Sequence, residues 1–284
     1  MSISINSNIS SLNAQRNLSK TQAAMQTSLQ RLSSGLRVNS AADDSAGLGI
    51  ATTMNANVRS MNQATRKAND GISLVQTADG ALNETSNILT RMRELAVQSA
   101  SGTLNDATDR SYISNEFVQL QSEIDRIAGA TQFNKQDLLT GAGGANSDGV
   151  FTIQVGAGTT TNDTIDITTS DATAKGLGVD ATTAKIDVKS ATNATAAIDA
   201  IDKAIDNVNS QRSTLGSFQN RLTSTINNLQ VAVENTSAAQ SRIQDVDVAS
   251  ETANMTRANI LSQAGVSILS QANQTPQAAL KLLQ

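Results

Sequence analysis

The sequence predicts a mainly α protein, with long helices pairing antiparallel as a coiled-coil rod and a small β-hairpin inserted between them. Three observations carry this. Apolar residues recur at alternating steps of four and three on both sides of the chain's centre. Between those blocks lies one Gly- and Thr-rich stretch with period-two alternation. The two weakly apolar ends resemble each other in composition.

The first block starts at Met54 and runs through Val58, Met61, Thr65, Ala68, Ile72, Val75, Asp79 and Leu82. Ile88, Met92 and Leu95 continue it in a shifted phase. A second block, Ile113, Phe117, Leu120, Ile124 and Ile127, keeps the spacing without exception. A third comprises Ile198, Ile201, Ile205 and Val208, then Leu215, Phe218, Leu222, Ile226, Leu229 and Val233. Such stripes bury against partner helices as knobs in holes. Core packing accounts for all of these residues, and none is assigned a chemical role.

The middle, residues 140–190, is different. Phe151, Ile153 and Val155 alternate with polar residues, and "DTIDITT" (163–169) alternates again. Gly156, Gly158 and Asn162-Asp163 lie between the two runs, so a β-hairpin is expected. "AKIDVKS" (184–190) is a third candidate strand.

At the ends, Met25, Leu29, Leu32 and Leu36 step like a heptad, while Leu261, Ile268 and Leu269 are diluted by Ala264, Gly265 and Ala272. Helices with so narrow a stripe order only when they find partners. If the long helices run antiparallel, these two ends lie side by side. Residues 1–40 and 252–284 contain no acid, so the excess negative charge falls on the remainder.

The absences exclude whole classes of chemistry. The 284 residues include no His, Cys or Trp, one Tyr (Tyr112) and one Pro (Pro276). Disulfides, thiol nucleophiles, His-containing triads and HExxH zinc sites are therefore impossible. A net charge of −4 argues against nucleic acid as a partner. No apolar run of about 18 residues predicts a membrane span, and "MSISINSNISSLNAQ" lacks the charged and apolar regions of a signal peptide. No cofactor is expected.

Two features compete for a site. In "LRVNSAADDSAGLGIA" (36–51), Asp43 and Asp44 suggest a divalent cation, but a bare dipeptide is a poor metal signature. Helix punctuation explains it better: Gly35 suits a left-handed stop, and Ser40 with Asp43 resembles a capping box. "QDVDVASE" (244–251) reads as the mirrored joint on the returning chain. Glu94, Glu116, Glu123 and Asp125, with Arg91, Arg93 and Arg126, admit a carboxylate-pair hydrolase, yet ion pairs along a helix flank explain them at less cost. "GAGG" (141–144) lacks the Lys-Ser/Thr of a phosphate loop.

Four stretches carry a family resemblance: "INSNISSLNAQRNLSKTQAAMQTSLQRLSSGLRVNSAADDSAGLGIA", "NDGISLVQTADGALNETSNILTRMRELAVQSA", "EIDRIAGATQFN", and the C-terminal "LGSFQNRLTSTINNL" with "SRIQDVDVASETANMTRANILSQAGVSILSQANQTPQAALKLLQ". The chain resembles bacterial flagellin over about residues 1–140 and 192–284. The resemblance implies a short filament subunit with an inner coiled-coil layer, D0, an outer rod layer, D1, and almost no outer domains. It divides the chain into residues 1–42 (D0 helix and spoke), 43–140 (D1 helices), 141–191 (hairpin insertion), 192–243 (returning D1 helix) and 244–284 (spoke and D0 helix). It implies no enzyme activity. The subunit leaves the cell unfolded through the flagellar type III channel, without a cleaved signal peptide, and forms an extracellular helical homopolymer for motility. Implied partners are other copies, an export chaperone, the distal cap, hook-junction proteins and host Toll-like receptor 5.

The implied polymerisation core is Ile5, Ile9, Leu12, Leu29, Leu32, Leu36, Leu261, Ile268, Leu269, Leu282 and Leu283, with Asp43 and Asp44 at the spoke joint. Arg91, Leu95 and Glu116 match the receptor-binding positions, and Thr90 stands where receptor-activating members commonly carry glutamine. The alternatives are a hook–filament junction protein and a flagellin-like surface adhesin.

Overall fold

The computed structural model describes residues 8–105, 108–144, 147–180 and 186–281. Among the described residues five α-helices dominate: α1 (Ile9–Ser34), α2 (Ser45–Ala100), α3 (Asp109–Ala130), α4 (Ala191–Gln244) and α5 (Val248–Lys281). Four short strands, β1 (Gln132–Phe133), β2 (Gln136–Asp137), β3 (Val150–Gln154) and β4 (Thr164–Thr168), form two separate antiparallel hairpins. The chain folds as two compact units, Arg59–Val233 and Met1–Val58 with Glu234–Gln284. The mainly α class with a hairpin insertion is thus observed.

In the central unit the heptad stripe of α2 is continuous. Met61, Ala64, Ala68, Gly71, Val75, Ala78, Leu82, Thr85, Leu89, Met92, Ala96 and Ser99 are all buried, stepping three and four throughout. This corrects the sequence phase: Thr65, Ile72 and Asp79 flank the seam, and the apparent shift near Ile88 disappears. The same correction applies to α4, where Ala194, Ala197, Ile201, Ala204 and Val208 are buried while Ile198 and Ile205 pack against the core from the side. In α3, Gln121 and Ala128 are buried and Leu120 and Ile127 are flanking.

Polar pairs fix the helix directions. Asp79 accepts from Arg212 Nε at 2.8 Å and Asp202 from Arg93 Nε at 2.6 Å, so α2 and α4 run antiparallel. At the α2–α3 turn, the buried Arg110 guanidinium donates to the carbonyls of Ser99, Leu104 and Ser101 at 2.8, 3.0 and 2.7 Å. A cation there also satisfies the orphan carbonyls and the negative dipole end of α2.

The expected hairpin is β3–β4, paired from Val150↔Thr168 to Gln154↔Thr164. Phe151, Ile165 and Ile167 are buried and Thr152 and Asp166 face out, as alternation requires. The β1–β2 hairpin turns on Asn134 and Lys135, both at positive φ, and sequence reasoning did not anticipate it. The third strand is overturned over Ile186–Ser190, which carries no strand; Ala184 and Lys185 lie outside the described residues. Side chains of the helices take up this segment's carbonyls instead: Ser99 Oγ donates to Val188 and Gln121 Nε2 to Ile186. With its acceptors used there, the segment has little to offer a ladder. "GAGG" is a site of close backbone approach, since a Cβ on Gly144 would lie 2.1 Å from the Val150 carbonyl oxygen.

In the terminal unit α1 packs antiparallel along α5. Asn8 Nδ2 donates to the Ala272 carbonyl and Ser11 Oγ to Asn273 Oδ1, each at 2.8 Å, and Ser28 Oγ donates to Glu251 Oε1.

Candidate assembly surface

The terminal helices present two faces. The inner seam of α1 contains Ala14, Leu18, Thr21, Met25 and Ser28, and that of α5 contains Met255, Ala258, Ser262, Gly265 and Leu269. Among the residues of the two helices whose burial is described, only Ser28, Glu251 and Ala258 are buried. The seam is therefore thin and largely small or polar. The outer faces retain large apolar side chains: Ile9, Leu12, Leu29, Ile260, Leu261, Val266 and Ile268 are 49–64% exposed.

The predicted core residues thus divide. Ile9, Leu12, Leu29, Leu261 and Ile268 lie on the outer faces, whereas Leu32, Leu36 and Leu269 are half-buried. The stripe read from Met25 to Leu36 is corrected at one position, because Ser28 and not Leu29 faces α5. Ile5, Leu282 and Leu283 lie outside the described residues.

The two joints meet. Gly35 ends α1 in the left-handed conformation (φ 73°), and its N–H donates to the Arg31 carbonyl at 2.8 Å. Leu36 and Asp245 form an antiparallel bridge; Arg37 N–H donates to the Gln244 carbonyl at 2.6 Å and Val246 N–H to that of Gly35 at 3.0 Å. Asp44 caps α2 by accepting from Gly47 N–H at 2.8 Å, and Asp247 accepts from Ala249 N–H at 3.0 Å to cap α5. A Cβ at position 47 would sit 2.3 Å from Asp44 Oδ2, so a larger residue there would make the Asp44 carboxylate shift. Ser40 and Asp43 form a turn ahead of the helix, which corrects their reading as its capping box. Asp43 accepts from the Ser40 hydroxyl and amide, both at 2.9 Å, and these bonds hold its carboxyl below the usual range. Both aspartates thus act on the backbone. Among the described residues no group of three or more acids converges on a metal position.

Of the receptor-matching positions, Arg91 and Glu116 are exposed and paired. Arg91 Nη1 donates to Glu94 at 2.9 Å, and its Nε and Nη2 to Glu116 at 3.0 and 2.9 Å. These bonds, led by that to Glu94, raise the guanidinium's pKa further. Leu95 is 2% exposed and belongs to the core, so the three do not form one accessible surface in this chain. The contact of the buried Ser28 and Glu251 with the half-buried Arg31 was missed by sequence reasoning. Its one signal is that Glu251 is the last acid before the acid-free C-terminal segment.

Comparison with known proteins identifies the family. A family described as bacterial flagellin N-terminal helical region matches residues 5–144, and one described as bacterial flagellin C-terminal helical region matches 198–283. A flagellin of Halalkalibacterium halodurans is 48% identical over 282 residues, with 99% of both chains covered. A flagellin of Bacillus subtilis is 44% identical over 305 residues, again covering 99% of each. The structure of a putative flagellar hook-associated protein from Vibrio parahaemolyticus matches with a TM-score of 0.57 at 18% identity, covering 72% of this chain and 100% of that one, a likeness of fold. The chain belongs to the bacterial flagellin family and is a structural subunit of the extracellular flagellar filament, not an enzyme.

Proposed function

We propose that α1 and α5 are the assembling segments, with residues 1–42 and 244–284 forming the inner D0 layer and the intervening residues the D1 layer. The observation that carries this is the row of exposed apolar side chains on the outer faces of both helices. A half-exposed Leu or Ile gains about 1 kcal/mol on full burial. One contact covering two or three of them gains less than the 4 kcal/mol or more that association costs. A stable site therefore needs several neighbours at once, which favours an open helical polymer that grows from a nucleus.

The thin inner seam also suits a chain exported unfolded, because little stability opposes opening it. On this reading the export chaperone, the distal cap and the hook-junction proteins engage the same terminal segments. A receptor contact would use Arg91 and Glu116 and would have to expose Leu95. Deleting residues 1–40 or 245–284 tests the assignment. The remaining chain should stay helical by circular dichroism and form no filaments in electron micrographs; filaments of normal length from either truncation would overturn it. Wild-type filaments that stay short would favour the junction-protein alternative.

A further inference from the structure

We infer that Glu251 sets the register in which α1 and α5 pair, as a positioning residue for filament assembly. The seam itself discriminates poorly between registers. Its residues repeat in heptads, and most are Ala, Ser, Thr or Gly, so a shift of seven residues costs little shape complementarity. Glu251 breaks that degeneracy. It is 8% exposed, its Oε1 accepts from Ser28 Oγ (itself 5% exposed), and its Oε2 lies 3.8 Å from Arg31 Nη1. Lys20 and Arg257 line the same groove, with no acid but Glu251.

Each alternative register takes the Ser28 hydroxyl away from this carboxylate, even where Lys20 or Arg31 stays near it. One heptad toward the α1 N-terminus, Glu251 faces Thr21, whose hydroxyl already donates to the Asn17 carbonyl at 2.9 Å, and Ala24 replaces Arg31. One heptad the other way it faces Gly35, where the helix has ended. Half-heptad slips set it against Met25 or Leu32. A buried carboxylate that loses its hydroxyl donor is disfavoured, so a single polar contact selects the register where apolar packing does not.

The chain has no cysteine, which allows the register to be read by engineered disulfides. Ser11 and Asn273 touch in the native register, so Ser11→Cys with Asn273→Cys reports it. Ser11→Cys with Val266→Cys reports the one-heptad slip. Both pairs are placed in the full chain and oxidised in assembled filaments, alone and with Glu251→Leu or Glu251→Gln. The native-to-slipped ratio should fall about tenfold or more with Glu251→Leu and less with Glu251→Gln, which keeps an acceptor for Ser28. If Glu251→Leu prevents assembly, preforming the Ser11–Asn273 disulfide should restore it. Assembly with an unchanged ratio, or failure that the native-register disulfide does not rescue, would overturn the inference. It rests on α1 and α5 being the assembling segments, and the two fail separately: the truncations test the segments, the rescue tests the residue.

Discussion

The corrected phase of α2 makes a quantitative prediction at two adjacent positions. Ala78 is fully buried, whereas Asp79 is a partly exposed flank residue paired with Arg212. Ala78→Leu adds three carbons to a filled seam, and overpacking of this kind costs about 1–3 kcal/mol. Asp79→Leu forfeits one ion pair whose side chains are 44% and 33% exposed. Such pairs contribute about 0–1 kcal/mol after solvent screening, and leucine is the better helix former, so the net loss is under about 1 kcal/mol. For a chain of this size each kcal/mol moves the melting temperature by about 2–4 °C. Ala78→Leu should therefore lower it by about 2–12 °C and Asp79→Leu by no more than about 4 °C, followed by ellipticity at 222 nm. The phase read from the largest side chains puts Ala78 on the exposed flank, where leucine costs under about 0.5 kcal/mol, so a melting temperature left unchanged by Ala78→Leu would refute the burial argument.

Three further outcomes are expected. Asp44→Ala removes the cap of α2 and should cost about 0.5–2 kcal/mol, seen as faster amide exchange at Gly47 and its neighbours. Arg110→Met strips three carbonyls of their donor and should destabilise the chain by about 3–5 kcal/mol in urea titration; a loss under about 1 kcal/mol would show the turn does not depend on it. The carboxyls of Asp43, Glu123 and Asp202 are held below their usual range by Ser40, Arg126 and Arg93. Groups lowered by folding stabilise above their unfolded pKa and lose that contribution as pH falls through the folded one, so melting temperature should be flat near neutrality and drop below about pH 4. A rise on acidification would contradict the assigned pairs.

The heptad blocks marked the long helices because period is a property of spacing, and β3–β4 was legible because alternation and glycine coincide there. The seam phase was not. Each central helix meets neighbours on more than one side, so its apolar face is wider than one stripe. Following the bulkiest residues then selects the flank, as with Ile72, Ile198 and Ile205, while Ala64, Ala78 and Ala204 occupy the centre. At the candidate surface, Gly35 and the paired joints were legible from turn chemistry. The Ser28–Glu251 contact joins residues 223 positions apart, and no local pattern links them.

That separation bears on the order of folding. Closing so long a loop in an open chain is entropically unfavourable, and each halving of the free length recovers about 0.6 kcal/mol. Met61 and Leu229 line one pocket of the central unit, so once that unit has formed, only two short arms remain to be joined. A seam too thin to recruit its own halves can then close late, on a chain whose middle is already complete. The pairing of the ends is then conditional on the middle: a chain whose middle is still open joins them only at the cost of closing the longer loop.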